Sequence, residues 1–291
     1  MQLMKAGNLY LPKVNQIPLI ISNAKKLGLN ALNVPVIIDF SDYDISQPVL
    51  NLDSKTTAMS IIHALHKEGL KTILEPYPLV RGGEGSETGI VPKDVELFFV
   101  TWRSILREIV HDIAQPLQVY ALNTSSNLVH LESYSDEWIG LFREIKKIYS
   151  GLVTYRTNWW VTAVWDTGSG STTEAYQQKM NNPLFSSSDL DFISISAYFE
   201  LTERALPSVT QLMEDLDAST IYSRGQNIFA EIKAFYDKWN KPIFFGELGA
   251  PSREYAAFQP WNAEPSSVES EIAQANLIEA YRRKFSPFKV R

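Results

Sequence analysis

The sequence predicts a single α/β domain over residues 1–291, a (β/α)8 TIM barrel whose eighth strand is short or missing. Two recurrences and one absence carry this expectation. Apolar runs rich in β-branched and aromatic residues return at 31–40, 70–79, 117–122, 152–160, 190–199 and 241–248, and segments of helical period lie between them. Strand and helix alternating at roughly 40-residue intervals make parallel strands joined by crossover helices. A doubly wound sheet, the competing architecture, normally opens on a glycine-rich turn, and the chain has no GxGxxG or P-loop pattern.

Taken in order, "ALNVPVIIDF" (31–40) reads as a buried strand ending near Asp39, and a helix from Thr57 to Glu68 stops at Gly69. The run "LKTILEPYPL" (70–79) carries Glu75 and passes into "RGGEGSETG" (81–89), a glycine-rich loop suited to move over a site; a phosphate cradle would need a Lys-Ser/Thr pair that is missing. From Asp94 to Ala114, residues Val95, Phe98, Phe99, Trp102, Ile105, Ile109 and Ile113 fall on one helical stripe. The strand "LQVYAL" (117–122) leads into Asn123–Leu128, and a helix from Asp136 to Tyr149 follows, with Ser135 as N-cap and Gly151 past its end. "LVTYRTNWW" (152–160) ends on Asn158, Trp159 and Trp160. The polar tract 166–189 reads as a long excursion with a short helix inside. "LDFISISAYF" (190–199) ends at Tyr198 with Glu200 just beyond, a helix spans Asn227–Trp239, and "KPIFFGEL" (241–248) delivers Glu247. After a last helix, Ser267–Phe285, only "SPFKVR" remains, so closure by an eighth strand would fall to Phe288–Val290.

Composition excludes several functions. The net charge of −6 leaves no basic footprint for nucleic acid, and no run of about 18 apolar residues exists to span a membrane. Without cysteine there is neither disulfide nor thiolate chemistry. The N-terminus "MQLMKAGNLYLPK" lacks a long apolar core and a small-residue cleavage site, so the expected location is cytoplasmic, or outside after release without a signal peptide. His63 and His66 are three apart on one helix without a third ligand nearby, and the serines have no GxSxG elbow. No metal and no cofactor is expected.

A barrel builds its active site from the C-terminal ends of its strands. Here those ends supply Asp39, Glu75, the 123–128 stretch, Asn158, Trp159, Trp160, Tyr198, Glu200 and Glu247. Acids, amides and aromatics together suit a sugar, whose hydroxyls lie at the ring rim and whose C–H faces stack on Trp and Tyr. Glu247 could be a strand-end acid that meets water, or a catalytic carboxylate. Gly246 and Gly249 on either side leave it little bulk, so a ligand can approach.

The stretches "LKTILEPYP", "IVPKDVELFF", "DEWIGLFREIKKIYSGLVTYRTNWW", "LDFISISAYFELTE", "PSVTQLM" and "KPIFFGELGAPSREYAAFQPWN" run in one order from about Asn30 to about Tyr281 and resemble glycoside hydrolase family 113. These are β-mannanase-type retaining enzymes with two catalytic glutamates on a barrel. The resemblance implies that Glu247 is the nucleophile and that Tyr198 donates a hydrogen bond to it. It also implies that Asn158, Trp159, Trp160 and Trp261 line sugar subsites, with an oligo- or polysaccharide as partner. Glu75 stands where the family pattern has a lysine; it is either part of the substrate site or half of a structural ion pair.

Two departures matter. The family's acid/base glutamate, in a Gly-x-Glu-Leu motif that ends the fourth strand, falls here on Asn127 when laid without gaps, or on Asn123 or Thr124 in a shifted register, and none of these supplies the proton of a carboxylic acid. The strand that follows the last helix in the family is cut short. A positioned general acid contributes about 10²–10⁴-fold in rate, so a substitute is needed for turnover of unactivated glycans. Glu132, Glu75, Glu84 and Glu87 are the carboxylates in range; Glu132 reads most simply as a solvated acid ahead of its helix. Two functions follow: a retaining β-glycosidase on a mannan-like glycan, or a carbohydrate-binding or structural barrel that kept the cleft and lost the chemistry, as in a surface or virion assembly.

Overall fold

A computed structural model describes residues 4–161 and 173–286. Its strands are β1 (Ala6–Asn8), β2 (Ala31–Phe40), β3 (Val49–Leu50), β4 (Lys71–Val80), β5 (Ala121–Ser126), β6 (Leu152–Asn158), β7 (Phe192–Ser196) and β8 (Ile243–Glu247). Its α-helices are α1 (Ile17–Lys26), α2 (Leu52–Lys67), α3 (Val95–Ile109), α4 (Ser135–Ile148), α5 (Thr173–Met180), α6 (Val209–Asp215), α7 (Ile228–Trp239) and α8 (Glu271–Phe285). Strand order follows chain order, β1-β2-β4-β5-β6-β7-β8, with β3 set off the path against β2. Neighbours that follow one another through crossover helices are the signature of a (β/α)8 barrel.

The described residues group into two compact units, one of residues 4–157 with Pro183–Ser194, the other of residues 158–161, 173–182 and 195–286. In the first, β2 and β4 pair in parallel over their whole length, from Ala31 beside Lys71 to Phe40 beside Val80. Nine of the ten residues of β2 are buried, as expected of a strand covered on both faces. Helix α3 packs the stripe read from the sequence: Phe98, Phe99, Trp102, Ile105 and Ile109 are buried, and Phe98 stacks on Trp102 at 5.5 Å. Asp94 caps it by accepting from the Leu97 N–H at 2.9 Å, a contact of about 1 kcal/mol. In the second unit, Tyr281 and Phe285 of α8 close on Phe245 of β8 at 5.6 and 5.0 Å.

Three expectations need correction. The strand expected at 117–122 lies at Ala121–Ser126, because α3 runs on into a π-helical turn, Val110–Ala114, and Gln118 turns the chain at φ +52° before the strand begins. Helix α2 starts at Leu52, ahead of Thr57, since Asn51 caps it through the Ser54 N–H. Glycines 85 and 89 do not leave the 81–89 loop bare: a Cβ at Gly89 would lie 2.7 Å from the Tyr43 ring, and one at Gly85 2.8 Å from its hydroxyl. The short helix expected within 166–189 is α5. The Phe288–Val290 segment lies outside the described residues, and among the described residues no strand follows α8.

Candidate active site

In the first unit, the interior is organised by Glu75. It stands in the middle of β4 rather than at its end, 3% exposed. Its Oε1 accepts from Arg156 Nη1 of β6 and, at 2.7 Å, from Ser126 Oγ of β5, while Oε2 accepts from Asn33 Nδ2 of β2. Arg156 is buried too, and its Nε reaches Ser194 Oγ of β7 at 3.4 Å. One carboxylate thus ties three other strands, its neighbours β2 and β5 and the next strand β6, to the one it sits on, with an ion pair at the centre. A buried carboxylate is tolerable only when paired and hydrogen-bonded in this way.

A register shift between Asn123 and Ser126, where β5 meets β6, re-aims the last residues of β5. Asn127 follows at once. It adopts φ +52°, a left-handed conformation that asparagine tolerates better than most residues, and it is 4% exposed. Its Nδ2 donates to Glu87 Oε1 at 2.8 Å. Glu132, expected in solvent, is buried and accepts from Thr157 Oγ1 at 2.5 Å. Proximity of that hydroxyl, at the end of the neighbouring strand β6, draws the side chain inward.

In the second unit, Glu247 is the last residue of β8 and half-buried. Its carbonyl accepts from the Ala197 N–H at 2.7 Å, which brings the chain just before Tyr198 against the nucleophile candidate. Space is open beside Gly249, where an added Cβ would meet nothing within 4 Å. Trp159 meets Tyr198 edge to face, ring centroids 5.9 Å apart. Asn158, closing β6, accepts the Trp159 N–H at 3.1 Å. The next ring points elsewhere: Trp160 is buried against Phe199 and Phe235 at 5.3 and 5.2 Å, and its Nε1 donates to Glu231 Oε2 at 3.2 Å. Sugar contact expected of Trp160 is therefore corrected to a core role, because the ring is buried, packs on two other rings and has an acceptor at its indole N–H.

Trp261 is held differently. Its indole N–H donates to Glu200 Oε1 at 3.2 Å while the ring stays 48% exposed. Arg224 fixes Glu200 with two bonds, Nε to Oε2 at 2.6 Å and Nη2 to Oε1 at 2.8 Å. An exposed indole braced by a bidentate ion pair is a ready platform for a sugar face. Sequence reasoning missed Arg224, which sits in the unpatterned run "STIYSRGQN", and Arg156; the latter had a signal, since an arginine within an apolar strand demands a buried acid.

The model of glycoside hydrolase family 113 matches residues 43–289. Among curated proteins none matches the chain. Similar solved structures include a GH113 β-1,4-mannanase, 19% identical over 94% of this chain and 79% of that one, with a TM-score of 0.70. A GH113 β-mannanase from Alicyclobacillus acidocaldarius is 16% identical, covering 98% of this chain and 82% of its own, at 0.72. An endo-1,4-β-mannanase from Rhizomucor miehei is more distant, 15% identical over 86% and 78%, at 0.54.

Proposed function

The chain belongs to glycoside hydrolase family 113, and from that premise we propose that it is a retaining glycosidase directed at a β-linked, mannan-type glycan, with Glu247 as nucleophile. The observation that carries the assignment of Glu247 is its place as the last residue of β8, with its backbone bonded to Ala197 beside Tyr198. Strand ends are where barrels do chemistry. Tyr198 orients the carboxylate through its hydroxyl, and Trp159 and Trp261 offer ring faces to the sugar. The similar solved structures named as mannanases support mannan as the substrate class.

The reaction then runs in two displacements. A Glu247 oxygen bonds to the anomeric carbon as the glycosidic C–O bond breaks; water afterwards cleaves the glycosyl ester, with net retention. The resemblance lays Asn127 on the family's acid/base glutamate, and this favours a second reading, a barrel that binds the glycan without cleaving it. Proton NMR of fresh β-1,4-manno-oligosaccharide digests, together with calorimetry, separates the two. Products that first appear as the β-anomer support the enzyme. Binding without cleavage supports the second reading, and neither binding nor cleavage of any β-glycan at millimolar concentration rejects both.

A further inference from the structure

We propose that the first unit binds an ordered water molecule where β5 bulges against β6, held between the hydroxyls of Ser125 and Tyr155. Both side chains are fully enclosed, and neither hydroxyl has a hydrogen-bond partner among the described residues. A buried hydroxyl without a partner destabilises a fold, and native interiors leave few such groups unmet. Two of them side by side point to a guest that meets both.

The gap comes from the backbone. Asn123 pairs with Thr154 and Ser126 with Arg156, so Thr124 and Ser125 together face Tyr155, an extra residue in one strand of the pair. Side chains meet the carbonyls that this spreads apart. Trp102 Nε1 donates to the Thr124 carbonyl at 3.0 Å, and Thr124 Oγ1 donates to the Thr154 carbonyl at 2.8 Å. No such help reaches the Ser125 and Tyr155 hydroxyls. The phenol cannot swing to another partner, because Trp138, Phe142 and Phe185 hold its ring edge to face, centroids 5.0, 6.2 and 6.2 Å away.

The two hydroxyls are neighbours that do not touch. Burial pushes the Tyr155 phenol well above its ordinary value of 10, the Glu132 charge raises it further, and the Ser125 hydroxyl opposes both. Ser125 thus lies close enough to act on the phenol, yet no bond joins them. Glu132, which accepts from Thr157 Oγ1 at 2.5 Å, adds a third polar side chain to the same pocket of the unit. Buried water sits where two to four polar groups converge. An apolar guest would leave both hydroxyls unmet.

The water oxygen accepts from the Tyr155 O–H, and one water hydrogen bonds to Ser125 Oγ. Held there, the water keeps the bulge from closing. That matters for the residues that follow: Ser126 Oγ donates to Glu75 Oε1 at 2.7 Å, and Asn127 turns the chain at φ +52°. The site belongs to the first unit alone, and it stands whether or not the barrel cleaves a glycan. Because its two ligands are fully enclosed, the water exchanges with solvent only when the unit opens locally.

The test combines a crystal structure of the wild type, urea unfolding of Tyr155→Phe and Ser125→Ala, and water-deuteron relaxation dispersion, which counts long-lived waters in solution. The crystal should show a water within about 2.6–3.2 Å of both hydroxyl oxygens. Each single variant should lower the folding equilibrium constant by about 5–30-fold. The variant carrying both changes should hold one long-lived water fewer than wild type. Tyr149→Phe is the control, since that hydroxyl donates directly to the Val119 carbonyl at 2.6 Å; it should leave the water count unchanged. A single variant as stable as wild type, or more stable, overturns the proposal, because the hydroxyl it removes then had no partner. So does electron density in which the two hydroxyls bond to each other, or a gap that is empty. An equal water count in wild type and the doubly changed variant, or the same drop in Tyr149→Phe, overturns it as well.

Discussion

Arg156→Met should be among the most damaging single substitutions in the first unit. Arg156 and Glu75 are 2% and 3% exposed and form an ion pair across strands β6 and β4. Removing the guanidinium takes the opposite charge away from a buried carboxylate whose donors include the neutral Ser126 Oγ and Asn33 Nδ2, and breaking a buried pair in this way costs about 3–5 kcal/mol. Glu75→Met should cost a similar amount, because it takes the carboxylate away from the buried Arg156 guanidinium and from the Ser126 and Asn33 donors. The double variant removes both charges, leaving mainly the lost hydrogen bonds of those two neutral donors, about 1–3 kcal/mol each. Urea unfolding followed by far-UV circular dichroism measures all three, and the cycle should show a coupling of several kcal/mol, about 3 or more. Additive losses, or Arg156→Met within about 0.5 kcal/mol of wild type, would refute the claim that this pair organises the strands.

Two further outcomes follow from other contacts. His66 is held below its ordinary value of 6.5, first by burial and then by the neighbouring His63 charge; its neutral form is the stable one in the fold, so the stability it contributes is present above pH 6.5 and is lost as pH falls through the lowered value. The midpoint of thermal unfolding should drop below pH 6.5 less steeply in His66→Asn than in wild type, and equal slopes would contradict this assignment. Arg224→Lys breaks the bidentate hold on Glu200 and loosens Trp261, so calorimetric affinity for manno-oligosaccharides should weaken by about 0.5–1.5 kcal/mol, with Trp261→Ala at least as weak and an unchanged affinity in both variants counting against the platform.

Much of the fold was legible because periodicity reports burial. The stripe of α3 and the eight apolar positions of β2 could be read without any partner, and all but Val95 are buried as read. What escaped was short or non-local. β1 holds three residues, "AGN", with no apolar pattern to announce it. β5 came out four residues later at its start than read, because its C-terminal half, Asn123 to Ser126, is polar yet wholly buried, and polar residues hide a strand from a hydrophobicity count. The candidate site divides in the same way. Glu247 at a strand end was visible from local pattern alone. Adjacent Trp159 and Trp160 looked alike, and only tertiary packing separates the ring beside Tyr198 from the ring sunk against Phe199 and Phe235. The Glu75–Arg156 and Asn127–Glu87 contacts join residues 81 and 40 positions apart, a distance over which no spacing rule speaks.

The account turns on Glu247 as nucleophile, and covalent trapping addresses it most directly. A 2-deoxy-2-fluoro-β-mannosyl donor with an activated leaving group slows the second displacement more than the first, so a glycosyl-enzyme should accumulate. Peptide mass mapping should find the added sugar on Glu247, within the stretch from Ile243 to Ala250, and Glu247→Gln should take up none. A label on another carboxylate, or hydrolysis with an inverted anomeric centre and no trapped ester, would contradict it.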